Sequence, residues 1–382
     1  MTQIERPTLK RRLLSAIEAD PPRIPIVLGL GGSGRTTLLL ELQRELGNER
    51  SQYLDVEQTA TTPEHFLRSL TANSPFNAIN EKTEFSEALS TREAFQAALK
   101  FLDRASPSAT NPAIFLLDEI LDLRTFENFP GLRLVLKELI ETLRNSHNRF
   151  VLSTRYTTRA LRLLRDASPQ FEIVHLPAFT PAEVGNALAT VSTSDNYISR
   201  DELARSIHAL TAGRPSYVRL IAEGMEASQE PNLFDPVAAL ATQLSKGASL
   251  WAQCRFEYEL RLHRARGYGV LQAIVQILAN EEPLKLTEIA RRLGRTPGST
   301  RDYLSWLDDV DLVTVRQKRY RLADPLLRLW VKLHCQPTPI SDEQLTREVQ
   351  KYAYDRLPRN EPTTDDTNFV SSKPTREWNV ID

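Results

Sequence analysis

The chain has 382 residues, 41% of them apolar and 25% charged, and its 48 Lys+Arg against 49 Asp+Glu leave a net charge of −1. These proportions exclude a disordered chain and fit a folded protein of two or three domains. No apolar run approaches the roughly 20 residues of a membrane span, and the start, MTQIERPTLKRR, carries no apolar signal core. Two cysteines, Cys254 and Cys335, and six histidines are too few for a disulfide framework or a Cys/His metal centre, so a reducing cytoplasm is the expected setting.

In chain order, residues 8–18 (TLKRRLLSAIE) have helical spacing, and 24–28 (IPIVL) form a short apolar run ending at a glycine. A helix is predicted over 36–46, a strand over 52–56 and a further helix over 62–70, while 74–88 read as a loop or insertion. Residues 113–117 (AIFLL) are wholly apolar and run into two acids; 132–145 are amphipathic, and 149–153 and 172–176 are strand-like. Apolar runs alternating with helices predict an α/β fold with a parallel sheet buried on both faces. Beyond it, 181–225 read as helical, broken at Ala212-Gly213-Arg214-Pro215, and 234–264 add one or two helices. The expected division is a core over 1–180, a helical lid over 181–264, a third module over 265–335, a helix over 336–357 and a polar, disordered tail over 358–382.

The most informative stretch is Gly29-Leu30-Gly31-Gly32-Ser33-Gly34-Arg35-Thr36-Thr37, which holds four of the chain's 14 glycines. Glycine lets backbone N–H groups turn inward and approach phosphate oxygens, and a helix starting near Arg35 adds its positive end. The spacing is that of a P-loop, with arginine in place of lysine. Gly29, Gly31, Gly32, Ser33, Gly34, Arg35, Thr36 and Thr37 are therefore the expected phosphate cradle, with the Thr36 hydroxyl on Mg²⁺. A guanidinium binds phosphate well but is broader than an ammonium, so binding is a safer expectation than fast turnover. A glycine-rich turn without a ligand is the competing reading.

About 80 residues on, Asp118 and Glu119 end the apolar run 113–117. Asp118 is expected to hold Mg²⁺ through water, and Glu119 to orient or deprotonate an attacking water. At the end of the next strand Thr154 (or Ser153) could hydrogen-bond water or phosphate, and Arg155 could sense γ-phosphate charge. Arg155 read plainly is a solvated loop cation, and Asp55 is either a supporting acid or a surface turn.

Residues 286–293 (LTEIARRL), a turn at Gly294, and 297–307 (PGSTRDYLSWL) fit a helix-turn-helix, with Thr287 as its N-cap. Ser299, Thr300 and Arg301 stand near the start of the second helix, where such motifs reach base edges. Residues 312–315 and 319–322 form a wing, with Arg316, Lys318 and Arg319 at or beside its tip. Residues 255–332 hold 15 Lys/Arg and 10 Asp/Glu, a local excess of five positive charges that could supply phosphate contacts. Against DNA contact, Asp302, Asp308, Asp309 and Asp311 dilute that face, and a packing role against the nucleotide core is the other reading. Trp306 and Trp330 are expected in the core.

Together these motifs resemble the STAND and AAA+ branch of P-loop ATPases, in particular the archaeal-type ATPase group with a winged helix, over roughly residues 5–357. The resemblance implies a P-loop NTPase core with helical lid and C-terminal winged-helix domain, ATP and Mg²⁺ as cofactors, and double-stranded DNA or a protein as partner. It permits oligomerisation and implies no membrane. In Gly213-Arg214-Pro215 it implies that Pro215 contacts the adenine and that Arg214 serves as a second sensor arginine, beside the plain reading of a helix stop. The family has lysine where Arg35 stands. The expected function is an ATP-binding, slowly hydrolysing switch whose nucleotide state drives the winged helix. The alternative is a nucleotide-binding regulator or DNA-binding transcription factor without significant hydrolysis.

Overall fold

The computed structural model describes residues 6–72, 74–78, 89–107, 111–165, 169–189, 199–227, 235–265 and 268–358. The first part alternates α1 (Pro7–Glu18), β1 (Ile24–Leu28), α2 (Arg35–Leu46), β2 (Ser51–Asp55), α3 (Val56–Thr59) and α4 (Pro63–Ala72). A two-residue strand pair, β3 (Asn77–Ala78) and β4 (Ala105–Ser106), flanks α5 (Thr91–Arg104). Then come β5 (Ile114–Asp118), a 3-10 segment (Ile120–Asn128), α6 (Val135–Asn145), β6 (Arg149–Thr154), α7 (Thr157–Leu163) and β7 (Phe171–His175). The sequence reading contains no counterpart of α5, whose start is fixed by a Ser90/Glu93 capping box.

The five long strands form one parallel sheet in the order β2-β5-β6-β1-β7. Two apolar layers cover it. On one face Leu13 and Ile17 of α1 and Leu38, Leu39 and Leu42 of α2 pack on Val27, Ile114, Leu116 and Val151. The other face carries Phe115, Leu117, Phe150 and Leu152 against Phe66, Phe95 and Phe126. Side chains alternate along a strand, so Asp118 follows Ile114 and Leu116 to the α2 face. By the same rule Ser153 follows Val151 there, and Thr154 follows Phe150 and Leu152 to the opposite side.

A helical layer follows: α8 (Pro181–Ala187), α9 (Arg200–Thr211), α10 (Pro215–Glu226), α11 (Pro236–Leu244) and α12 (Ser249–Arg264). Next stand α13 (Gly269–Glu281), β8 (Leu284–Lys285), α14 (Leu286–Leu293), α15 (Pro297–Asp309), β9 (Val313–Arg316) and β10 (Arg319–Leu322), with the small sheet ordered β8-β10-β9. The helices and the hairpin follow one another in the order expected from the sequence. Then α16 (Pro325–His334) and α17 (Asp342–Tyr354) complete the described chain, α17 packing on α11 and α16. Trp330 is in the core as expected, whereas Trp306 is 39% exposed against Tyr303. One buried apolar cluster runs unbroken from the sheet through the helical layer into the module spanning α13 to β10.

Two local expectations are corrected here. Lys285, not Thr287, occupies the N-cap of α14, because the helix already begins at Leu286. Thr300 is fully buried and its hydroxyl donates to the Thr296 carbonyl, so it cannot reach a base edge. The expected disordered tail, beyond residue 358, lies outside the described residues, as does most of 74–88.

Candidate functional site

The glycine loop joins the buried strand β1 to α2. Gly34 caps α2 at φ +96° and Gly32 stands at φ +72°, a left-handed backbone that side chains resist. The first-turn N–H groups of α2 have no acceptor within the helix, which makes the loop an anion seat. At its edge the Thr36 hydroxyl donates to Asp118 Oδ2 at 2.6 Å, and Tyr53 donates to the same oxygen at 3.1 Å. Burial and the Asp118 charge raise the Tyr53 pKa, so it stays a donor. Ser153 donates to Asp118 Oδ1, which also accepts the Glu119 N–H at 3.1 Å.

Glu119 is held by two arginines. Its Oε1 is bonded to Arg35 Nη2 and, at 2.9 Å, to Arg155 Nε; its Oε2 accepts the Arg155 N–H at 3.0 Å. Its own backbone sits at φ +55°, an uncommon region for a non-glycine residue and one associated with functional strain. Arg35 is buried; its Nη1 donates to the carbonyls of Gly29 and Leu30, at 2.7 Å for the latter. Arg155 is buried too and reaches Glu57 on α3. Desolvation opposes its charge, yet Glu119 and Glu57 raise its pKa. Arg155 is thus no solvated cation. Asp55, half-buried, caps α3 by accepting the Gln58 N–H at 3.2 Å.

A cavity of about 470 Å³ opens beside the loop, lined by Gly32 to Leu38, Arg6, Phe179, Pro215 and Arg219. Arg6 lies over the Phe179 ring, 5.0 Å from its centroid, and one of its terminal nitrogens is buried without a partner. Pro215, expected beside a base, is in this wall. The neighbouring Arg214 is not: it turns away to Asp324 and the Tyr217 hydroxyl, both at 2.7 Å, and is buried there. The expected sensor role of Arg214 is corrected, because its charge is already neutralised at the start of α16.

Thr154 requires a correction as well. Its hydroxyl accepts the Tyr156 N–H at 3.2 Å, and its surroundings are Ile26, Leu136, Leu139 and Leu152. Ser153 holds the position the sequence reading gave to Thr154. Sequence reasoning also missed Tyr53, Glu57, Arg6 and Phe179, whose roles come from neighbours distant in the chain.

On the module spanning α13 to β10, Arg301, Arg316, Lys318 and Arg319 are exposed, as are Arg291 and Arg295, while Ser299 is half-buried against Thr296. Three of the four acids expected to dilute this face point elsewhere, while Asp302 stays exposed beside Arg301. Asp308 and Asp309 pair with Arg162, Asp309 also with Arg159, and Asp311 accepts from Thr158, all on or beside α7.

The residues fit a magnesium nucleotide. A hydroxyl and one carboxylate meet at 2.6 Å beside an anion seat, the small protein share that Mg²⁺ takes when phosphates and water supply the rest. Among the described residues no cluster of three or more His, Cys, Asp or Glu could hold a metal by itself, and no helix is long and apolar enough to cross a membrane.

Among solved structures, the chain is similar to the Walker-type ATPase PABY2304 of Pyrococcus abyssi. The TM-score is 0.61 and the identity 17%, over 86% of this chain and 96% of that one. Weaker likenesses are the ORC1 protein of Aeropyrum pernix in complex with DNA (TM-score 0.46, 18% identity, 91% and 93% covered) and RuvB of Thermotoga maritima (0.41, 17%, 84% and 92%). The fold is that of a P-loop NTPase. No protein-family model matches the sequence, and no curated protein does.

Proposed function

We propose that the chain is an ATP- and Mg²⁺-binding molecular switch of the STAND type, with slow hydrolysis that resets its lid and winged helix. The single observation carrying this reading is the Thr36–Asp118 bond at the mouth of the glycine loop, where the cavity toward Phe179 and Pro215 begins. A triphosphate tail would follow the loop amides from Gly29 to Thr37, with the base reaching Phe179 and Pro215. Thr36 and Asp118 would hold magnesium, which neutralises phosphate charge when bound. Glu119, once released by Arg35 and Arg155, orients or deprotonates water, and Arg155 with Ser153 reads the γ-phosphate.

The captive Glu119 favours a second reading, a nucleotide-dependent regulator or transcription factor without significant hydrolysis. For the winged helix, double-stranded DNA is the favoured partner, since Arg301, Arg316, Lys318 and Arg319 face solvent while Asp308 and Asp309 are paired with Arg162. A protein partner is the alternative. The working division is a core over 1–180, a lid over 181–264, the winged helix over 265–335 and a final helix over 336–357, acting in the cytoplasm, with oligomerisation open. The test is calorimetry with Mg·ATP, and phosphate release with and without duplex DNA. Heat on titration and slow release support the switch; heat without release supports the regulator; no heat removes both.

A further inference from the structure

The lid of this chain touches the phosphate loop directly, and it does so with an acid. The Ser216 N–H at the start of α10 donates to the Gly32 carbonyl at 3.1 Å, and Gln253 on α12 donates to the Ser216 hydroxyl at 2.7 Å. One turn further along α12, Glu257 projects onto Gly31. A Cβ added at Gly31 would overlap its carboxylate, so a larger residue there would force Glu257 to shift. Glu257 is 5% exposed, and its buried Oε2 makes no well-aligned hydrogen bond, having only the Arg261 charge 3.0 Å away. Burial pushes its pKa up, but Arg261, Arg214, Arg155 and Arg35 outweigh this and hold it ionised. A buried anion with incomplete hydrogen bonding, set against an anion-binding loop, imitates the ligand the loop is shaped for.

On the reading of this loop as a nucleotide site, we propose that Glu257 is an internal phosphate mimic, an autoinhibitory latch that the polyphosphate tail must expel. Expulsion has an outlet. Arg261 on the same helix face pairs with Glu257 at 3.0 Å and donates to the Asp311 carbonyl at 2.9 Å. The Asp311 side chain in turn holds Thr158, four residues beyond the sensor strand. Removing Glu257 from the loop takes away the direct ion-pair partner of buried Arg261, leaving it the Asp311 and Asp324 charges, and its contact at the base of the wing must rearrange. The nucleotide and the winged helix then compete for one arrangement of α12, which is a two-state element biased from both ends.

A latch lowers apparent affinity by the fraction of molecules in which it is open. Glu257→Gln keeps the shape and removes the charge, and it should tighten both Mg·ATP and inorganic tripolyphosphate by about tenfold or more in calorimetry. Because that variant removes the direct ion-pair partner of Arg261, Glu257→Gln with Arg261→Met serves as the partner variant, and the same tightening is expected. Equal or weaker binding in variants with native circular dichroism would overturn the latch. If wild type and variants give no heat with either ligand, the nucleotide reading fails instead, and the latch is judged by hydrogen exchange of the 29–34 amides. Faster exchange in Glu257→Gln supports a latch for another anion; unchanged exchange removes it.

Discussion

Arg35 Nη2 and Glu119 Oε1 are bonded beneath the glycine loop, so the arginine at the P-loop lysine position also restrains the acid to which we assign water activation. The forked guanidinium makes this possible, since its other end donates to the Gly29 and Leu30 carbonyls. A lysine has a single point of charge and cannot span both. Arg35→Lys is therefore expected to keep Mg·ATP affinity and raise phosphate release about tenfold, toward the gain that a freed general base provides. Glu119→Gln should bring release to background without loss of binding. Unaltered release in Arg35→Lys, measured with a coupled phosphate assay, would show that the pair does not limit turnover.

The two residues that close β6 should separate cleanly. Ser153 touches Asp118, and Thr154 touches only Tyr156 and apolar side chains. Ser153→Ala frees Asp118 from one of its donors and is expected to weaken Mg-dependent ATP binding about tenfold, the worth of one hydrogen bond to a charged group. Thr154→Val should leave binding unchanged and lower stability by about 1 kcal/mol, the net value of one buried hydrogen bond. Calorimetry with urea unfolding distinguishes them, and the reverse pattern would return the role to Thr154.

That pair also explains what the sequence could and could not disclose. The glycine loop, the acid-ended strand and the hairpin after α15 are local patterns, set by glycine spacing, apolar runs and caps, and each falls where the sequence places it. The face taken by Ser153 is not local. Because β6 is apolar on both sides, alternation of polar and apolar residues cannot say which neighbour points to α2. Arg214 beside Asp324, Arg155 beside Glu57 and Glu257 beside Gly31 join residues 110, 98 and 226 positions apart, differences taken directly from their numbers. Only the folded chain brings them together.

Arg214 and Asp324 form a buried pair between the start of α10 and the start of α16. Asp324 also accepts the N–H groups of Leu326 and Leu327, and four interactions on one buried carboxylate hold its pKa down against burial. Asp324→Asn should therefore cost about 3–5 kcal/mol by leaving a buried guanidinium unpaired. Arg214→Lys should cost less, about 1–2 kcal/mol, since an ammonium keeps the charge beside Asp324 but loses the fork and the stacking on Tyr217 at 4.5 Å. Loss below 1 kcal/mol in either, by urea unfolding, would contradict a structural role for this pair.

If the winged helix binds duplex DNA, its contacts are to phosphate through Arg301, Arg316 and Lys318, all exposed. Each phosphate contact contributes about 0.9 to the slope of log affinity against log salt. The triple variant Arg301→Ala, Arg316→Ala and Lys318→Ala should weaken binding to any duplex and flatten that slope by about 2.7. Thr300→Ala should act on stability only, because its hydroxyl is buried on Thr296. A slope that does not change would move the partner from DNA to protein.

Asp122 gives a pH signature for the region behind the site. Burial raises its pKa from 3.8 to about 6, with Arg264, at 3.1 Å, opposing the rise. A carboxyl whose folded value lies above its unfolded one binds its proton more tightly in the native state, so it stabilises the fold at low pH. That contribution is lost as pH rises from about 4 to about 6, and amounts to about 3 kcal/mol at about 1.4 kcal/mol for each pH decade. Asp122→Asn has no proton to lose. Wild-type stability minus that of Asp122→Asn should therefore fall across this window and level off above pH 7. Urea unfolding of both proteins at half-unit steps between pH 4 and 7.5 measures the difference directly, and a flat or rising curve would place Asp122 as an ordinary ionised partner of Arg264.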